Sequence, residues 1–175
     1  MSKNIWAKTI LSTYRYLQRI AGAIDKMIED RGLYSRDMSG ASFSTNNILS
    51  LSEKLIELSE RKIKLINLKL LTEKSLEFCG ESSASLLIAK YIDGKKNMDI
   101  IEEKGLSYRT FFRRLDDAES KFEIALAHNG FTKEKIETYL SSELWIMEVK
   151  NRISALRVNQ DLDVSERQLD RLAVI

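Results

Sequence analysis

The sequence predicts an all-α protein: a long, coiled-coil-like N-terminal helical hairpin, then a helix-turn-helix, then C-terminal helices. Three observations carry this. The 175 residues include no proline and only 7 glycines, where average usage would supply about 9 prolines. β-sandwiches and barrels draw on both residues for their many turns, and collagen-like or Pro-rich disordered chains need them outright. Apolar residues recur at steps of three and four over long stretches, the period of a helix face. The glycines punctuate those stretches. Gly32, Gly80, Gly94, Gly105 and Gly130 fall where the period breaks, and only Gly22 lies inside a periodic run.

The first helix is read from Trp6, Ile10, Leu17, Ile20, Ile24 and Met27, with Thr13 in the gap. This seven-residue repeat is held for about three heptads, as in a helix that faces another helix. Gly32 offers its C-terminal stop. Residues 34–47, YSRDMSGASFSTNN, are polar, Ser-rich and without period, and read as a flexible loop. A second heptad pattern, Ile48, Leu51, Leu55 and Leu58, then drifts to Ile63, Ile66 and Leu70, as a straight helix drifts against a strict 3.5-residue repeat. Two such helices around one loop fold back as an antiparallel hairpin. Since a hairpin alone buries little core, homo-oligomerisation through these helices is expected. The hairpin therefore takes residues 1–80.

Beyond Gly80 the polar ESSAS segment separates this arm from shorter helices at Leu86–Ile92 and Met98–Lys104. Gly105 makes a tight turn, Ser107 can cap, and Tyr108–Ala127 forms a longer helix with Phe111, Leu115, Ala118 and Phe122 as its apolar stripe. Residues 81–129 form the second domain and 130–175 the third. Asn129-Gly130 breaks the chain, and Thr132 caps a helix through about Val158, with Ile136, Leu140, Leu144, Met147, Ile153 and Leu156 as apolar positions. Trp145 and Met147 are read as core. Ser165-Glu-Arg-Gln168 resembles a capping box that opens a terminal helix.

Composition narrows the function. The single cysteine, Cys79, forms no internal disulfide, which fits a reducing cytoplasm. No apolar run reaches the ~18 residues of a membrane span, and the start, MSKNIWAKTILS, meets polar residues too soon for a signal-peptide core. One histidine and one cysteine build no ordinary zinc site. Phosphate-loop, dinucleotide and nucleophile-elbow motifs are missing, and no cofactor is expected. Glu102-Glu103 and Asp116-Asp117 are neighbours on helices, pointing to different sides, so an enzyme is not expected.

The stretch with chemical character is LLIAKYIDGKKNMDIIEEKGLSYRTFFRRLDDAESKF, residues 86–122. Two short amphipathic helices joined by a glycine turn describe a helix-turn-helix. Lys104 to Leu115 hold four basic side chains and no acid. The face opposite the stripe presents Tyr108, Arg109, Thr110, Arg113 and Arg114 at the helix start. In this motif that end enters the major groove, where arginine reads guanine edges and cations meet phosphates.

Through the YIDG lead-in at Tyr91–Gly94, the MDIIEEKGLS core and the SYRTFFRRL helix, the segment resembles the helix-turn-helix of sigma factor region four, and more closely phage regulators of the ArpU and RinA kind. The resemblance covers about 40 residues. It implies a DNA-binding transcriptional regulator of bacterial or phage type, with Tyr108, Arg109, Thr110, Arg113 and Arg114 as recognition residues; Lys104, where the family usually has an apolar residue, joins the DNA-binding candidates through the basic cluster alone. Double-stranded DNA is the expected partner and RNA polymerase a second candidate. The alternative is a helical protein–protein assembly module or a phage DNA-packaging small subunit. Net charge is +2, and residues 86–129 balance eight basic against eight acidic side chains.

Overall fold

The computed structural model describes residues 4–37 and 45–156. Among them are seven α-helices and no strand: α1 (Ile5–Asp37), α2 (Thr45–Phe78), α3 (Glu81–Leu87), α4 (Asn97–Glu103), α5 (Tyr108–His128), α6 (Lys133–Leu140) and α7 (Leu144–Leu156), with a π-helical turn, Ile88–Ile92, after α3. None of these helices is long and apolar enough to cross a membrane. The proposed terminal helix at 165–168, and Gly40 in the Ser-rich segment, lie outside the described residues.

The chain divides into two compact units. One is Tyr16–Leu70, the middle of the two long helices. On α1 it buries Tyr16, Leu17, Ala21 and Ile24, and on α2 Leu65 and Leu68. Lys62 Nζ donates to Asp25 Oδ1 between the helices. Several expectations are corrected here. Gly32 does not stop α1, which continues to Asp37. A glycine costs a helix only about 1 kcal/mol and ends it when it turns left-handed, and Gly32 is not among the residues at positive φ. Helix therefore covers both edges of the expected loop. Met27 is 42% exposed, and Ile20 only half-buried. On α2 the expected drift does not occur. Leu51, Leu58, Leu65 and Thr72, seven apart, run from half-buried to buried, and Cys79 just past the helix end continues the series, while Ile48, Ile63 and Leu70 are exposed. The strict repeat persists because the helix keeps one face towards its partner.

The other unit combines residues 4–15 of α1, the last turns of α2 from Leu71, and α3–α7. Trp6, Ile10, Leu11, Leu87, Ile100, Phe111, Phe122, Leu126, Leu140 and Ile146 form its core. Two helix ends in it share one device. After α4, Gly105 at φ 58 lets its own N–H reach the Glu102 carbonyl and that of Leu106 reach Ile101. After α5, Gly130 at φ 85 does the same for Ala127, and Phe131 reaches Leu126. Both are six-to-one and five-to-two closures that satisfy the last carbonyls of a helix.

The ESSAS segment is helical. Gly80 stands at the cap position, Ala84 N–H donates to its carbonyl, and Glu81 sits in the first turn of α3, where an acid complements the helix dipole. The helix expected over 132–158 is two helices. Ser141 Oγ donates back to the Thr138 carbonyl, and the N–H groups of Ile146 and Met147 restart the ladder on the Glu143 carbonyl. The restart turns Leu144 outward at 78% exposure and puts Ile146 and Val149 in the core. Trp145 and Met147 are half-buried rather than core.

Candidate nucleic-acid interface

The start of α5 is held from three sides. Its cap is Ser107, whose Oγ accepts the Thr110 N–H at 3.2 Å, with the two hydroxyls 2.8 Å apart. Its buried stripe is Phe111, Leu115, Ala118, Phe122, Ala125 and Leu126. Its middle is tied to α1 by Asn4, whose Nδ2 donates to the Asp116 carbonyl at 3.2 Å and Ser120 Oγ at 3.0 Å.

One buried charge completes the anchoring. Glu119 faces inward, only 1% exposed. Lys8 of α1 lies 3.2 Å from its Oε2, and the Tyr91 hydroxyl of the π-helical turn donates to its Oε1. Burial raises the Glu119 carboxyl above the usual carboxylate range, and Lys8 and Tyr91 oppose that rise. Asn4, Lys8, Tyr91 and Glu119 thus aim α5; Asn4, Lys8 and Glu119 were not singled out from sequence, and Tyr91 stood out only within the YIDG lead-in. The available signal was Glu119 itself, an acid at a stripe position between Leu115 and Phe122.

The opposite face carries the basic residues. Arg109 and Arg113 are exposed and one turn apart, so they share a face, and Arg114 and Tyr108 flank them. None of the three arginines forms an ion pair with a described residue. Tyr108 is 61% exposed, its ring 4.7 Å from that of Phe112. Phe112 in turn meets the edge of buried Phe111 at 5.0 Å, so this second phenylalanine is a shelf for Tyr108. Thr110 is half-buried and occupied in the cap. Lys104 is exposed, with Nζ 3.0 Å from Ser85 Oγ of α3. Five of the six sequence-selected residues therefore gather on the first two turns of α5, and Lys104 lies just before the turn.

Elsewhere in this unit a groove of about 600 Å³ is lined mainly by Leu76, Ala84, Ile88 and Ile92, beside Tyr14 and Glu73. The Tyr14 hydroxyl donates to Glu73 at 2.6 Å, and burial, reinforced by that carboxylate, pushes the phenol up to about 12. Cys79 is buried with its thiol donating to the Ser75 carbonyl, and burial pushes it up to about 11. His128 stacks on Phe78 with centroids 4.9 Å apart. Among the described residues no three His, Cys, Asp or Glu side chains stand together as a metal site. Compared with protein-family models, curated proteins and solved structures, the chain has no match.

Proposed function

We propose that the protein is a DNA-binding transcriptional regulator of bacterial or phage type, which reads duplex DNA with α4, the Gly105 turn and the start of α5. The observation that carries this reading is the pair Arg109 and Arg113, exposed on one face and without an ion pair to any described residue. A rigid helix end that presents unpaired guanidinium groups beside its own N–H groups suits phosphates and guanine edges. Arg109 and Arg113 would contact bases, Arg114 and Lys104 phosphates, and Tyr108 on its Phe112 shelf would pack against the backbone. Thr110 acts through the cap, as a positioning residue. Asp117 falls where the helix leaves the groove. Such a regulator acts in the cytoplasm, with RNA polymerase as its second partner. The resemblance of residues 86–122 to phage regulators of the ArpU and RinA kind supports the same reading.

A mobility-shift titration with random and cognate-genome DNA, at about 50 and 200 mM salt, tests it. Affinity should fall steeply with salt, and Arg109→Ala/Arg113→Ala should bind more weakly. Lys104→Ala/Arg114→Ala, at the phosphate contacts, should lower the salt slope by about 2. Circular dichroism should be unchanged. Binding by the Arg109→Ala/Arg113→Ala variant equal to wild type defeats the site, and no binding by either protein at the lower salt defeats the function. The second outcome favours the other reading, a helical assembly module or a DNA-packaging small subunit, which the balanced charge of residues 86–129 supports.

A further inference from the structure

The outer face of α2 is the feature that the DNA reading leaves unused. Leu49, Ile56, Ile63 and Leu70, spaced by seven, are 57%, 57%, 57% and 55% exposed. They stand two residues before Leu51, Leu58, Leu65 and Thr72, the seam towards α1, and two residues are about 200° on a helix. The helix therefore carries two heptad seams on opposite sides, and among the described residues only one has a partner. Over about 32 Å of helix, four large aliphatic side chains in one line are a helix-pairing pattern rather than scattered surface residues.

The charges along α2 say what pairs with it. Residues 48–60 carry three glutamates against one lysine, and residues 61–74, leaving aside Lys62 as the partner of Asp25, carry four basic side chains against one glutamate. A parallel copy would set acid beside acid and base beside base. An antiparallel copy sets the acidic half of each helix beside the basic half of the other, and the dipoles of the two helices also oppose favourably. We infer that the Leu49–Leu70 face of α2 binds a second copy of this chain in antiparallel orientation, and that the protein is a homodimer through this seam. The α1-facing seam closes the hairpin, and the outer seam makes the dimer. The dimer does not rest on DNA binding, because it is read without DNA present.

Sedimentation equilibrium of the full chain should give twice the 20.2 kDa chain mass. Ile56→Lys/Ile63→Lys should halve that mass at unchanged helix content, since both side chains are exposed. Spin labels then report orientation. In an antiparallel pair centred near Glu60, labels at residue 60 lie about 10 Å apart and labels at Ser52 about 25 Å apart. In a parallel pair both separations are about 10 Å. A monomeric wild type overturns the dimer, whatever else then covers the face. So does a lysine variant that associates as tightly as wild type, and short separations at both positions overturn the orientation.

Discussion

Alanine at Gly105 and at Gly22 should change stability in opposite directions. At both positions a Cβ would meet nothing within 4 Å, so neither substitution creates a clash. What differs is the backbone. Gly105 holds φ 58 in the closure after α4, and an L side chain in that region costs about 1–2 kcal/mol. Part of this is offset, because alanine also restricts the unfolded chain, which leaves Gly105→Ala about 1 kcal/mol less stable than wild type. Gly22 lies inside α1, where alanine is better than glycine by about 0.5–1 kcal/mol. The two variants should therefore differ by roughly 1.5–2 kcal/mol, more than tenfold in unfolding equilibrium. Gly105→Asn should recover part of the loss, since asparagine tolerates the left-handed region. Urea unfolding followed by far-ultraviolet circular dichroism, at equal m-values, measures all three. A neutral or stabilising Gly105→Ala, or a destabilising Gly22→Ala, would refute the reasoning.

Three further outcomes are expected. Phe122→Ala, at a position 0% exposed in the core against which α5 packs, should cost about 3–5 kcal/mol and shift the thermal midpoint down in calorimetry. Glu119 gives a pH dependence whose sign follows from its raised carboxyl. The fold holds this proton more tightly than the unfolded chain, so the stability it contributes is complete below the usual carboxylate pKa of about 4.3 and is lost as pH rises through the folded value. The urea midpoint of Glu119→Gln should accordingly gain on wild type from pH 4 upward, and a constant difference between the two proteins would contradict the assignment. Cys79, buried and with its thiol pushed up to about 11, should react with a thiol reagent at pH 8 only as fast as the unit opens; immediate labelling in native buffer would contradict its burial.

Local chemistry was legible where it needs few neighbours. The Ser107 cap, the closures at Gly105 and Gly130, and the Phe111–Leu115–Ala118–Phe122 stripe all depend on residues within one or two turns of each other, and the sequence shows them directly. The basic cluster on α5 followed from the same stripe, because a buried face defines the exposed one. Less legible were the features that two faces or two segments decide together. On α2 the aliphatic residues fall on two heptads, so the series Ile48, Leu51, Leu55, Leu58, Ile63, Ile66 and Leu70 passes from one to the other between Leu58 and Ile63. The break at Ser141–Glu143 carries no glycine or proline, and the periodicity of residues 133–156 passes over it. Asn4, Lys8 and Tyr91 meet α5 only across long sequence separations.

The absence of proline and the spacing of apolar residues were enough to determine that the chain is helical, where α4 and α5 end, and which side of α5 faces out. These are matters of backbone propensity and helical period, which act over a few residues. Tertiary structure alone decided which of two apolar seams on α2 meets α1, where α7 begins, and that Glu119 is buried beside Lys8 and Tyr91. Each of those choices is set by the burial of one surface against another, and a one-dimensional pattern holds no record of which surfaces meet.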